Sequence, residues 1–283
     1  MHLENKWKYY RIIKQIIFYG MCFVIAAACL FPFYWALVSS LRDGSQIFST
    51  DLWPSHISFE NYLYIFNDKT FLHSFWNSFV IATLTSLITL FICILAAYPL
   101  ARYKFPGRKR ILMLALSITT LPQVAVLSGL FERIRALDIY NEKSCLILSY
   151  MIITTPFTLW AMTNFMNNIP KEIEEAAIMD GANQITILLK VFFPLLSPAI
   201  VTTGLLAFIA AWNEFLFALT FTLTKQARTV PVSLALFSGA SQHEVPYGLI
   251  MAASVLVTLP LVLLVIVFQR RIISGLTAGS IKG

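Results

Sequence analysis

The sequence predicts an all-α membrane protein with six transmembrane helices, and three observations carry that expectation. The 283 residues are 58% hydrophobic and 12% charged, with mean hydropathy +0.74, whereas soluble domains run to about 45–50% apolar and about 25% charged. Six stretches reach the roughly 20 apolar residues that span about 30 Å of hydrocarbon. None of them alternates polar with apolar residues, which excludes barrel strands. Composition thereby also excludes a cytosolic enzyme, a disordered segment and a secreted disulfide scaffold.

The spans fall at 15–41, 70–101, 111–131, 144–170, 191–224 and 245–269, the fifth interrupted by Glu214. Basic residues orient them. Lys6, Lys8, Arg11 and Lys14 precede the first span, and Arg102, Lys104, Arg108, Lys109 and Arg110 separate the second from the third. Lys171 and Lys190 lie between spans four and five, and Arg270, Arg271 and Lys282 follow the last. This side holds 14 of the 21 Lys and Arg, so both termini are expected in the cytoplasm. The net charge of +7 therefore marks orientation and not a nucleic-acid partner. The organisation read from the chain is a cytoplasmic start (1–14), a first helix (15–41), an extracytoplasmic segment (42–69), a five-helix core (70–269) and a cytoplasmic tail (270–283).

The run Ala26-Ala27-Ala28-Cys29 imitates a lipoprotein signal, but the apolar stretch continues beyond it and exceeds the 7–15 residues of a signal core. Cys22 and Cys29 stand about 10 Å apart along a helix, too far to bridge. With Cys93 and Cys145 they read as small buried hydrophobes. No phosphate-binding G-x-x-x-x-G-K-[ST], H-E-x-x-H or G-x-S-x-G string occurs. The four histidines (His2, His56, His73, His243) are scattered. The chain is expected to bind no metal, cofactor or ATP, and to catalyse nothing by itself.

Glu214 is the acid inside a span, beside Trp212 and Asn213. A charge in hydrocarbon costs several kcal/mol unless it faces a cavity, a partner or the interface. Asn213 and Glu214 are accordingly candidates for a substrate path or gate. The alternative is a hydrogen-bonded acid near the outer headgroups.

Segment 168–198 is unlike the other loops. Pro170 suits a first helical position, and Glu172, Glu174 and Glu175 complement a helix N-terminus. Ile173, Ala176 and Ala177 share a face, Gly181 suits a left-handed C-cap, and Asn183 can start a second helix. The expected product is a short amphipathic helix on the cytoplasmic surface, a sharp turn and a helix leading into span five. Its four acids against two basic residues favour a protein partner over anionic lipid.

The string Glu175-Ala176-Ala177, three residues, Gly181, nine residues, Val191-x-Phe193-Pro194 resembles the EAA loop of ABC importer permeases, E-A-A-x3-G-x9-I-x-L-P. Val191 and Phe193 depart mildly from it, and Asp180 matches the common D-G. The resemblance extends to the sugar-type, MalG-like permeases through Trp212-Asn213-Glu214-Phe215, Met251-Ala252-Ala253, Pro260, Gln269-Arg270 and the tail 275–283. It implies a type I importer permease with the MetI-like fold in a bacterial inner membrane. The loop residues Glu174, Glu175, Ala176, Ala177, Asp180, Gly181 and Pro194 would couple to an ATPase. Gly275, Thr277, Gly279 and Lys282 would place the tail along it. The implied partners are a second, MalF-like permease, two MalK-like ATPase subunits that hold ATP and Mg, an extracytoplasmic binding protein and a sugar. A peptide or polyamine permease of the same superfamily is one alternative. An ion-driven secondary transporter is another, but it predicts intramembrane acids or broken helices near the midplane, and often internal inverted repeats.

Overall fold

The computed structural model describes residues 2–42, 46, 49–237 and 246–278, with side chains from residue 10 to residue 272 of these. Every regular element among them is helical, apart from the 3-10 position at residue 46. The chain divides into two compact units, Met1–Asn67 with Phe237–Leu256, and Asp68–Leu236 with Val257–Gly283.

The first unit is built on α1 (His2–Ser40), whose residues 16–34 are exposed and mostly apolar. Its C-terminal end is different: Val38, Ser39, Ser40 and the following Arg42 are buried. Arg42 donates to the carbonyls of Ser49 and Asp51 and lies 5.0 Å from the Trp35 ring centroid. Asn61, on α2 (Glu60–Asn67), donates to the Ser40 and Arg42 carbonyls at 3.0 Å each. Residues 49–51 and α2 thus fold back on the end of α1. Cys22 and Cys29 are exposed on α1, not buried as expected, because among the described residues no element covers the stretch that carries them.

The second unit is a bundle of α3 (Lys69–Arg102), α6 (Lys143–Asn168) and α10 (Ser197–Trp212). Two apolar clusters fill it. One gathers Ile81, Leu146, Tyr150, Phe208, Trp212 and Phe217; the other gathers Cys93, Tyr98, Met162, Met166, Phe192 and Leu196. Several hydroxyls at depth donate within their own helices, as in Ser86 to Ala82, Ser149 to Cys145 and Thr158 to Thr154, each i to i−4. Gly204 lets α10 approach α3 closely: a Cβ there would stand 2.7 Å from Leu90 Cδ1. After α12 (Val230–Ala235) comes the last helix, α13 (Tyr247–Ala278), whose second-unit residues Val257, Leu261 and Leu264 pack on the first of these clusters.

Among the described residues four helices are long and apolar enough to cross a membrane, Tyr10–Ser40, Lys69–Arg102, Lys143–Asn168 and Tyr247–Ile272. Two bent pairs complete the six. The third expected span is α4 (Arg108–Ile118) and α5 (Gln123–Ala136), bent by 96°. Pro122 lacks an N–H and pushes Leu121 out of helical geometry, while the Thr119 and Thr120 hydroxyls donate to the Leu116 and Ser117 carbonyls at the break. The fifth bends by 79° between Gln184–Leu195 and Ser197–Trp212, ahead of Pro198. It also ends at Trp212 and resumes as α11 (Leu216–Phe221), so Glu214 sits in a break and not inside a continuous span.

Candidate coupling loop and intramembrane acid

Helix α7 (Lys171–Met179) is the amphipathic helix expected between spans four and five. Pro170 is its N-cap, extended at φ −54° and ψ 140°, one position earlier than the sequence suggested. Glu172 and Glu174 occupy the first turn, where their charge complements the helix dipole. At the other end Gly181 adopts φ +81°. Its N–H donates to the Ile178 carbonyl at 2.9 Å and the Ala182 N–H to Ala177 at 3.0 Å, the two bonds of a Schellman cap. Asn183 then accepts from the Thr186 N–H at 2.8 Å and opens α8 (Gln184–Thr186). A π-helical segment, Ile187–Phe192, and α9 (Phe193–Leu195, which contains Pro194) carry the chain to the bend before α10.

The face expected to carry Ile173, Ala176 and Ala177 together is divided. Ala177 packs on the cluster that contains Phe192 and Met166, and Glu174 turns to the same side. Glu172, Glu175, Ala176, Met179 and Asp180 are exposed, Met179 at 86%. Successive helical residues differ by about 100°, so neighbours such as Ala176 and Ala177 fall on either side of a boundary.

Glu174 is held by two residues of α3 that the sequence did not single out. Arg102 Nε lies 3.1 Å from its Oε2, with side chains only 4% and 13% exposed respectively. The Tyr98 hydroxyl donates to Oε1 at 2.7 Å. Arg102 also donates to the Ile169 carbonyl at 3.0 Å and stacks 4.7 Å from the Phe192 ring centroid. In the sequence Arg102 was one more basic residue at a span end; its uncharged approach and the acid surplus of α7 were the available signals.

Glu214 is 6% exposed. Its carboxylate accepts from the Phe217 N–H at 2.8 Å and the Ala218 N–H at 3.1 Å, the otherwise free donors at the start of α11. The Tyr150 side chain lies beside it. Asn213 is exposed and donates to the Ile209 carbonyl at 2.9 Å. Among the tail residues, Gly275 and Thr277 lie on the backbone of α13, while Gly279 and Lys282 lie outside the described residues. Among the described residues no three of His, Cys, Asp and Glu gather into a metal-binding group.

Residues 88–277 match the family described as binding-protein-dependent transport system inner membrane component. The chain belongs to that family. It is a multi-pass membrane component of a transport system. The chain is 40% identical over 274 residues to the trehalose/maltose transport system permease protein MalG of Thermococcus litoralis, covering 96% of this chain and 98% of the relative. It is 38% identical over 260 residues to the trehalose transport system permease protein SugB of Mycobacterium tuberculosis, covering 92% and 95%. It is 40% identical over 257 residues to the sulfoquinovosyl glycerol transport system permease protein SmoH of Agrobacterium fabrum, covering 90% and 89%. The fold is similar to a chain of a crystal structure of a bacterial ABC transporter involved in the import of the acidic polysaccharide alginate, with TM-score 0.79 at 23% identity, covering 91% of this chain and 96% of that one. A second structure, of an alginate ABC transporter with an alginate pentasaccharide-bound periplasmic protein, gives 0.65 at 13% identity over 94% and 93%. The fold is that of the importer permeases.

Proposed function

We propose that this chain is one permease subunit of an ATP-driven ABC importer and forms half of the path for a small oligosaccharide or related glycoside. The observation that carries this reading is near-full-length identity of 38–40% to permeases named for trehalose, maltose and sulfoquinovosyl glycerol transport. The assembly would comprise this chain, a second homologous permease, two ATPase subunits and an extracytoplasmic binding protein that delivers the sugar. ATP and Mg would be held by the ATPase subunits, leaving this chain without catalysis or cofactor. The excess of basic residues supports cytoplasmic termini. Residues 70–269 would form the core domain, with α1 and segment 42–69 as an addition to it.

In this reading α7 is the piece that engages the ATPase. Its exposed face offers Glu175, Ala176 and Met179, a small residue flanked by an acid and a flexible apolar side chain. Gly181 and Pro194 set the path by which movement of α7 reaches α10. The tail, with Gly275, Thr277, Gly279 and Lys282, would run along the same ATPase. Closure of the ATP-bound ATPase pair would move the two α7 equivalents and rock the permease halves about a central cavity. Glu214 then serves as an internal cap that shapes the break between α10 and α11.

The solute class is tested on the binding protein encoded with this permease. Thermal-shift titrations against trehalose, maltose and sulfoquinovosyl glycerol are expected to stabilise it with at least one glycoside. Stabilisation by peptides or polyamines alone would contradict the sugar assignment.

A further inference from the structure

We propose that Arg102 is a positioning residue of the transport cycle: it latches α7 onto α3, so that the two move as one body when the ATPase side moves. The proposal rests on the reading of α7 as the ATPase-docking helix.

The grip of α7 on its own bundle is unusually narrow. None of its residues is buried, and those turned inward are Ala177, with one methyl group, and Glu174. Apolar burial scales with area, and a single methyl anchors little. The tie therefore falls to Glu174, and both of its oxygens are engaged from α3, Oε2 by Arg102 at 3.1 Å and Oε1 by Tyr98 at 2.7 Å.

Arg102 gathers four elements at one guanidinium. It sits at the end of α3, pairs with Glu174 of α7, donates to the Ile169 carbonyl at the end of α6 and covers the Phe192 ring in the π segment. The Tyr98 ring stands edge-on to the same Phe192 at 5.6 Å. An exposed ion pair would carry little mechanical load. This one is nearly sealed from water, so removing either partner strands a buried charge. The π turn places Phe192 under the guanidinium, and such turns recur where a helix must be shaped locally. The arrangement ties α7 to α3 directly, as well as through the loop that leads into α10.

The test measures whether α7 and α3 travel together. Spin labels are placed at Leu95→Cys on α3 and Met179→Cys on α7, both exposed positions, with Cys22 and Cys29 replaced by Ser. Distance distributions are recorded in the assembled complex, with and without ATP and Mg, using a hydrolysis-deficient ATPase. Co-purification confirms that the ATPase is bound. With Arg102 intact, the distribution is expected to keep its centre and width when ATP is added. In Arg102→Gln it is expected to split or at least double in width with ATP, and the swap Arg102→Glu with Glu174→Arg is expected to restore one narrow distance. A purely structural role predicts that any broadening in Arg102→Gln is the same with and without ATP. Should Arg102→Gln fail to accumulate, Tyr98→Phe and Arg102→Lys carry the same comparison. An Arg102→Gln distribution identical to wild type in both states overturns the latch. If Ala176→Asp loses the ATPase while Arg102→Gln behaves as wild type, the latch alone falls. If Ala176→Asp keeps the ATPase and its stimulation, the docking reading falls and the latch with it.

Discussion

A carboxylate at membrane depth has to find donors, and Glu214 finds them in the backbone. It takes the Phe217 and Ala218 N–H groups that α11 leaves free. Gln at this position keeps one good acceptor, so Glu214→Gln is expected to cost about 1–3 kcal/mol. Sugar uptake is expected to stay near normal, because no step of the proposed cycle needs the charge. Ala leaves two buried donors without a partner, and Glu214→Ala is expected to cost about 2–5 kcal/mol. The measurement is the apparent unfolding temperature of the detergent-solubilised chain together with uptake in the reconstituted complex. Full stability in Glu214→Ala contradicts the capping role, and lost uptake in a stable Glu214→Gln restores the gate reading. The sequence made Glu214 conspicuous but left its role open, because the break that creates its donors is a feature of the packed bundle.

At the scale of elements, Gly181 separates conformational from steric effects. A Cβ added there meets no atom within 4 Å, yet φ is +81°. Any penalty therefore comes from the left-handed backbone, about 1–2 kcal/mol for an ordinary side chain. Asn visits that region readily, so Gly181→Asn is expected to retain ATPase co-purification and binding-protein-stimulated ATP hydrolysis. Gly181→Val is expected to lower the stimulation several-fold by displacing the Schellman cap. Equal behaviour of the two variants would show that the cap geometry does not matter to coupling. The loop was legible because its signals are local: an acid-rich first turn, Gly181 at the stop and Asn183 at the restart. The bends were not. Pro32, Pro99, Pro156 and Pro260 lie inside continuous helices, whereas Pro122 and Pro198 accompany breaks. Ahead of Pro122 the Thr119, Thr120 and Leu121 N–H groups bond three residues back, to Leu116, Ser117 and Ile118, so the helix tightens and stops there. The Arg102 to Glu174 pair was illegible for another reason: its members belong to different helices and meet only after the bundle forms.

At the scale of the molecule, hydropathy and charge asymmetry announced a six-span membrane protein, since both follow directly from the bilayer as solvent. The orientation can be checked chemically. Lys109→Cys and Asp51→Cys, both exposed, are expected to react with an impermeant maleimide from opposite sides, Lys109→Cys only in inverted vesicles. Labelling of both from one side contradicts the topology. The central claim, that α7 transmits ATPase movement into this permease, is tested most directly by co-purifying the ATPase with tagged Ala176→Asp and measuring binding-protein-stimulated ATP hydrolysis. Ala176 is exposed, so the substitution leaves the bundle intact and alters only what α7 presents outward. The expected result is normal insertion with loss of the ATPase or of its stimulation, and normal co-purification with normal stimulation would contradict the account.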